Sequence, residues 1–204
     1  MVERQLRQRG ITDERVLEAM SKVPRHEFVA PQDRPSAYAD NPVLIGEQQT
    51  TSQPYMIAAM LQAAEIKPED RVLEIGAGSG YQTALLAELA RKVYAVERHP
   101  SLADSARSVL ERLGYSKVTV VAGDGSLGLP QEAPFSVIIV SAATPRIPPA
   151  LLAQLADRGR LVAPVGDIYQ QTLQLARRMN DEILIASLEG CRFVRLIGEQ
   201  GFME

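Results

Sequence analysis

Three carboxylates in the 204-residue chain stand where short apolar runs end: Glu74 in "VLEIGAGSGYQ", Glu97 in "VYAVE" and Asp124 in "AGDG". Runs of that kind are predicted strands, and open α/β sheets bind ligands beyond the carboxyl ends of their strands. Gly76, Gly78 and Gly80 follow the first acid. A dinucleotide-binding loop is spaced G-x-G-x-x-G, which would place its third glycine at Tyr81. The spacing here is G-x-G-x-G, with a carboxylate just ahead of it. Glu74 would repel a pyrophosphate but can attract a cation. S-adenosylmethionine (AdoMet) carries an α-ammonium and a sulfonium and has no phosphate, so the loop is expected to bind AdoMet rather than NAD. Glu97 is then placed to accept both ribose hydroxyls. Asp124 is placed to accept from the adenine amine, with Gly125 letting the ring approach.

The rest of the composition narrows the chemistry. No His or Cys spacing suggests a metal site. His26, between a Pro-Arg turn and Phe28, reads as a packing residue, and His99, just before Pro100, reads either as a surface residue or as a neighbour of the adenine. Cys191 is the only cysteine, so it cannot form an internal disulfide; it reads as a small apolar filler and fits a reducing compartment. A net charge of -3 without a basic run argues against capture of nucleic acid. No apolar stretch approaches the about 18 residues of a membrane span, and the charged N-terminus has no signal-peptide core. The expectation is a cytoplasmic monomer with no nucleic-acid or membrane partner.

The elements that must position these residues are legible from periodicity. Residues 1–30 have helical spacing, with Thr12 as a candidate N-cap. Residues 31–53 are polar and proline-rich and are expected to form a long irregular loop containing Asp40, of the kind that carries function. A helix opens near Ser52 or Gln53, with Pro54 in its first turn. From residue 71 strands and helices alternate: "RVLEIGA", "KVYAVE", "KVTVVAGD", "FSVIIVSA" and "GRLVAPVG" are strands, separated by helices in three of the four intervals. "QTLQLARR", "ILIASLE" and "CRFVRLIG" then follow with strand spacing and no helix between them, predicting antiparallel edge strands. The fold class is α/β, a doubly wound, mostly parallel sheet of Rossmann-like form. It is read as one domain over 1–204, with a helical cap and acceptor loop at 1–70, a binding core at 71–166 and edge strands at 167–204.

"VLEIGAGSGYQ", "VYAVE" and "GDG" resemble the class I AdoMet-dependent methyltransferases. "VPRHEFV", "AYADNPVLIG", "QTTSQPYM", "GDGSLGLPQEAPFSVIIVSAATPRIPPAL" and "GRLVAPVG" together resemble protein-L-isoaspartate O-methyltransferases across nearly the whole chain. The resemblance implies methyl transfer from AdoMet, leaving S-adenosylhomocysteine, to the free α-carboxylate of isoaspartyl residues in damaged proteins and peptides. It implies that Ser52 is the active-site residue and that Gln49, Thr50, Thr51 and Gln53 lie against the methyl group and the incoming carboxylate. It also implies a substrate-groove loop containing Ala142 and Ala143, and a cofactor-side Gln171. An acceptor that is already ionised at neutral pH needs no general base, which fits the lack of a persuasive His–carboxylate pair. The pattern departs at Gln48, where relatives commonly carry glycine, at Arg195, in place of a proline, and at Ser136, in place of an acid. Two alternatives stay open: a related carboxyl methyltransferase serving one partner peptide, and an AdoMet-binding protein without transfer activity.

Overall fold

The N-terminal quarter wraps the molecule in short helical pieces before any long strand forms. The computed structural model describes residues 1–203. Helical turns at Val2–Leu6 and Arg7–Arg9 lead into α1 (Glu14–Lys22), whose Val16, Leu17 and Met20 are buried at helical spacing. Its N-cap is Asp13, which accepts from the Arg15 and Val16 N–H groups at 2.9 and 3.3 Å. This moves the cap one residue from the expected Thr12, whose own N–H donates to Gln62 Oε1 at 2.7 Å. Both residue types cap well, so local spacing could not choose between them; a contact from residue 62 does.

The stretch 31–53, expected to be irregular, holds a helical turn at Pro31–Ser36 and a hairpin of β1 (Val43–Gly46) and β2 (Gln49–Thr51). Its two turn residues, Glu47 and Gln48, have φ of 49° and 57°. Such turns usually announce themselves with Asn-Gly or Gly-Gly, and without that signature the hairpin was not readable. α2 (Pro54–Ala64) follows.

The remaining elements alternate as the periodicity predicts. They are β3 (Arg71–Ile75), α3 (Tyr81–Leu89), β4 (Lys92–Glu97), α4 (Pro100–Arg112), β5 (Val118–Ala122), β6 (Phe135–Val140), α5 (Pro149–Ala153) and β7 (Leu155–Gly166). β8 (Gln171–Met179) and β9 (Glu182–Cys191) close the sheet, in the order β5-β4-β3-β6-β7-β8-β9. The first five strands pair in parallel and the last two join antiparallel. Apolar side chains fill both faces. Val72, Val137 and Val162 meet α1, α2 and α3 on one face, and Leu73, Ile138 and Leu161 meet α5 on the other.

The run "CRFVRLIG", expected to be a third edge strand, is not one. β9 is the edge, and the chain after it turns back to the loop that follows β6. There Ala143 N–H donates to the Val194 carbonyl and Leu196 N–H donates to the Ala143 carbonyl, both at 2.7 Å. A strand-like pattern reports two-sided burial, not which backbone the segment pairs with.

Candidate cofactor cleft and acceptor groove

β3 ends at Ile75, and the chain reverses through the glycine loop into α3. Gly78 has a φ of 53°, and a Cβ there would stand 2.9 Å from Ile45 Cδ1, so the β1–β2 hairpin lies directly on the loop. The Gly78 N–H donates to Glu97 Oε2 at 2.9 Å, and the His99 N–H donates to Glu97 Oε1 at 3.0 Å. Glu97 thereby ties the loop to the end of β4 and still lines an open cleft of about 630 Å³. Gly76, Gly78, Gln49 and Ala142 line the same cleft, as does Gly125, where a Cβ would press to 2.5 Å from Ile75 Cγ2. The strand ends and the hairpin thus border one open space that the Glu97 carboxylate lines.

Glu74 lies deeper. Its side chain is fully buried, Thr83 Oγ1 donates to its Oε2 at 2.5 Å, and its Oε1 has no partner. Burial pushes its carboxyl up to about 8, against the Thr83 hydrogen bond that favours the anion. A buried acceptor left unpaired costs free energy unless a ligand satisfies it. Glu74 faces a small cavity between the glycine loop and residues 50–52, which also touches Thr51 and Gln82. A donor entering that cavity, above all a cationic one, would complete the hydrogen-bonding of Glu74.

Asp124 is not among the residues that line the cleft, although the adjoining Gly125 is. Its Oδ1 accepts from Ser126 N–H and Oγ at 2.8 and 2.7 Å, and its Oδ2 accepts from Glu199 N–H at 2.8 Å. Burial alone would raise its pKa, but these hydrogen bonds outweigh burial and hold it below the usual carboxylate range. Asp124 anchors the C-terminal segment, and its neighbour Gly125 is what meets the cleft. Gly80 is also off the cleft; it begins α3 and packs against Ala106 and Leu110.

A second cavity, about 1030 Å³, adjoins the cleft. Thr50, Ser52, Gln53 and Met56 form one side of it, and residues 190–194 form the other. The two spaces share Thr50, Ser141 and Val194, so a ligand in one can meet a ligand in the other. Ser52 lines this groove and also the cavity of Glu74. It does not cap α2, which has no side-chain cap on its first turn from Gln53. Asp40 performs that task from a distance: its Oδ1 accepts from Tyr55 N–H at 2.9 Å while its other oxygen pairs with Arg9. One helix N–H that could have met an anion is therefore already taken.

Two expected site residues act through the backbone. Gln171 is buried, accepts from Phe193 N–H at 2.7 Å and donates to the Phe193 carbonyl at 3.3 Å. It clasps the segment that walls the groove without lining either space. Ala143 is buried and holds the same segment through its bridge to Val194 and Leu196. Sequence reasoning missed residues 194–197 as cleft lining and Ile45 as the roof. It also missed Arg25, a fully buried cation whose Nη2 donates to the Ser52 carbonyl at 3.0 Å. The motif "VPRHEFV" contains both Arg25 and His26, and the His26 Nδ1 meets the Tyr38 hydroxyl at 2.7 Å. No cluster of potential metal ligands occurs among the described residues.

The family model described as protein-L-isoaspartate(D-aspartate) O-methyltransferase matches residues 1–201. A relative from Koribacter versatilis, named protein-L-isoaspartate O-methyltransferase, is 54% identical over 202 residues, covering 99% of this chain and 91% of its own. A solved structure of that name superposes with a TM-score of 0.87 at 28% identity, over 98% of this chain and 67% of the other. A putative enzyme of the same kind from Plasmodium falciparum, in complex with S-adenosyl-L-homocysteine, gives 0.83 at 26% identity over 96% of both chains.

Proposed function

The chain belongs to the protein-L-isoaspartate(D-aspartate) O-methyltransferase family, and we propose, from that premise, which of its residues perform each part of the reaction. The activity is AdoMet-dependent methylation of the α-carboxylate of isoaspartyl residues in damaged proteins. When bound, AdoMet supplies an electrophilic methyl group on a sulfonium. The residues present suit it: an unpaired buried carboxylate for its ammonium at Glu74, a carboxylate at Glu97 for the ribose, and a close-approach glycine at Gly125.

The acceptor carboxylate occupies the groove of Ser52, Thr50 and Gln53. A carboxylate oxygen held in this groove would be aimed at the methyl group that AdoMet supplies. Opposite charges are neutralised and no proton moves, so the protein's part is alignment and exclusion of water. Ser52 holds one carboxylate oxygen by donating a hydrogen bond. The hairpin roof at Ile45 and the segment 194–197 cover the reacting atoms. The observation that carries this assignment is the meeting of the two cavities at Thr50, Ser141 and Val194.

The protein is read as a cytoplasmic monomer acting on proteins and peptides; its lone cysteine fits a reducing compartment, and its net charge of -3 argues against a nucleic-acid partner. No described helix is long and apolar enough to cross a membrane. The deciding experiment offers labelled AdoMet and two peptides that differ only in Asp against isoAsp. Label is expected on the isoaspartyl peptide alone. Label on neither, with AdoMet bound, would favour the dedicated-partner or non-catalytic alternatives.

A further inference from the structure

Arg25 is the most deeply buried cation of the molecule's acceptor side, and nothing in the reaction outlined above accounts for its charge. It sits in the helical turn Arg25–Phe28 with no exposure. Its Nε donates to the Ala37 carbonyl at 2.7 Å and its Nη2 donates to the Ser52 carbonyl at 3.0 Å. Its guanidinium carbon stands 4.9 Å from the ring centroid of Tyr81, the residue that follows Gly80. The Nη1 is buried with no partner. No carboxylate forms an ion pair with Arg25 among the described residues; the nearest acid by electrostatic influence, Asp40, is engaged by Arg9 and by the Tyr55 N–H.

A buried arginine normally has a carboxylate beside it, because carbonyls and a ring face replace only part of its hydration. An apolar side chain of similar volume would fill the space without that cost. The positive charge is therefore a feature to explain, and its position suggests the explanation. It touches the main chain of the very residue whose side chain lines the acceptor groove, and it spans from that residue to the first turn after the glycine loop.

We propose that Arg25 is a positioning residue that also sets acceptor specificity. Its guanidinium locks Ser52 through the Ser52 carbonyl, and its unneutralised charge makes the groove favour a carboxylate over a neutral carbonyl group. This rests on the reading of Ser52 and the groove given above. Arg25 lies behind the Ser52 backbone and lines neither space, and the cation that does line the groove is Arg192, which is exposed. Solvent and salt screen that side chain, whereas a charge beneath the loop is screened little.

The test measures binding of two peptides to the protein saturated with S-adenosylhomocysteine: an isoaspartyl peptide, and the same peptide with its α-carboxylate replaced by a carboxamide. Arg25→Gln should lower the acid-to-amide affinity ratio by about tenfold or more while leaving amide affinity within about twofold. Arg25→Lys, which keeps the charge but cannot span both carbonyls, should restore the ratio and leave turnover depressed. A role limited to holding the loop would instead weaken both peptides equally in Arg25→Gln, and that result would overturn the proposal. So would a ratio erased by Arg192→Ala.

Should Arg25→Gln fail to fold, the unmodified protein decides. Its acid preference should survive a rise from about 0.05 to 1 M salt, which shortens the screening length to about 3 Å; collapse of the preference would assign it to surface charge. Wild-type protein that binds neither peptide would bring down the acceptor reading itself, a result visible before any variant is made.

Discussion

The floor of the cleft comes from two adjacent strand ends: Glu74, the glycine loop and the start of α3 follow one another directly, and Glu97 closes the neighbouring β4. The wall facing it is gathered from far apart: Arg25 reaches Ser52, Asp40 reaches Tyr55, Gln171 clasps Phe193 and Asp124 anchors Glu199. The floor holds its acids for a ligand, with Glu97 lining the cleft and Glu74 Oε1 unpaired. The wall spends its polar groups on itself. This difference separates binding from transfer. Changes in the floor should act on the cofactor, and changes in the wall should act on the acceptor while the cofactor stays bound.

Ser52→Ala is the sharpest way to break that division, and it should have the largest effect. Loss of one donor to the reacting carboxylate should lower turnover on the order of 10²-fold, with S-adenosylhomocysteine affinity, measured by calorimetry, unchanged within about threefold. Unaltered turnover would remove Ser52 from the chemistry. The opposite signature is expected of Glu74→Gln. It should weaken S-adenosylhomocysteine by about 1.5–3 kcal/mol, the range for a hydrogen bond to a charged group.

Glu74 also provides a test by pH. Burial pushes its folded pKa up to about 8, above the ordinary 4.5, so between those values the folded protein holds a proton that the unfolded chain has released. Stability of the ligand-free protein should therefore fall as pH rises through that window, and Glu74→Gln should flatten the fall. At pH 7 an ammonium ligand that pairs with Glu74 should expel the proton, making the binding enthalpy depend on the buffer's ionisation enthalpy. An enthalpy independent of buffer in the wild type would exclude the pairing.

Gln171→Ala tests the wall from behind. It strands the Phe193 N–H and should cost about 1–3 kcal/mol of stability. Because Phe193 and Val194 border the groove, KM for the peptide should rise more than the dissociation constant of S-adenosylhomocysteine. The smallest effect is expected at the hairpin tip. Gln48 has a φ of 57°, and Gln48→Gly should raise stability by up to about 1 kcal/mol in thermal unfolding, with turnover unaffected because the tip touches neither groove nor Ser52.

The alternation from β3 to β7 was legible in the sequence because most of the parallel strands are short apolar, β-branched runs and α4 between two of them carries a clear helical period. Glu74, Glu97 and the glycine loop were legible for the same reason: their places follow from where a strand stops. The motif that contains Ser52 was visible as a resemblance, and its freedom from capping was not, because the cap on α2 comes from Asp40, distant in sequence. The hairpin at 43–51 is not legible in the sequence because Glu47 and Gln48, which carry no turn signature, adopt left-handed conformations there.

What the amino-acid order determined by itself was the sheet, its ligand-binding edge and the acids along that edge, since those depend on periodicity within a few residues. Tertiary structure alone decided which acids remain available. Asp124 and Glu74 are both carboxylates near strand ends, yet hydrogen bonds from Ser126 and Glu199 engage the first, and burial leaves one oxygen of the second unpaired. Arg25 and Gln171 likewise owe their roles to partners far along the chain. A side chain's reactivity is set by its desolvation and its neighbours, and those exist only once the chain is folded.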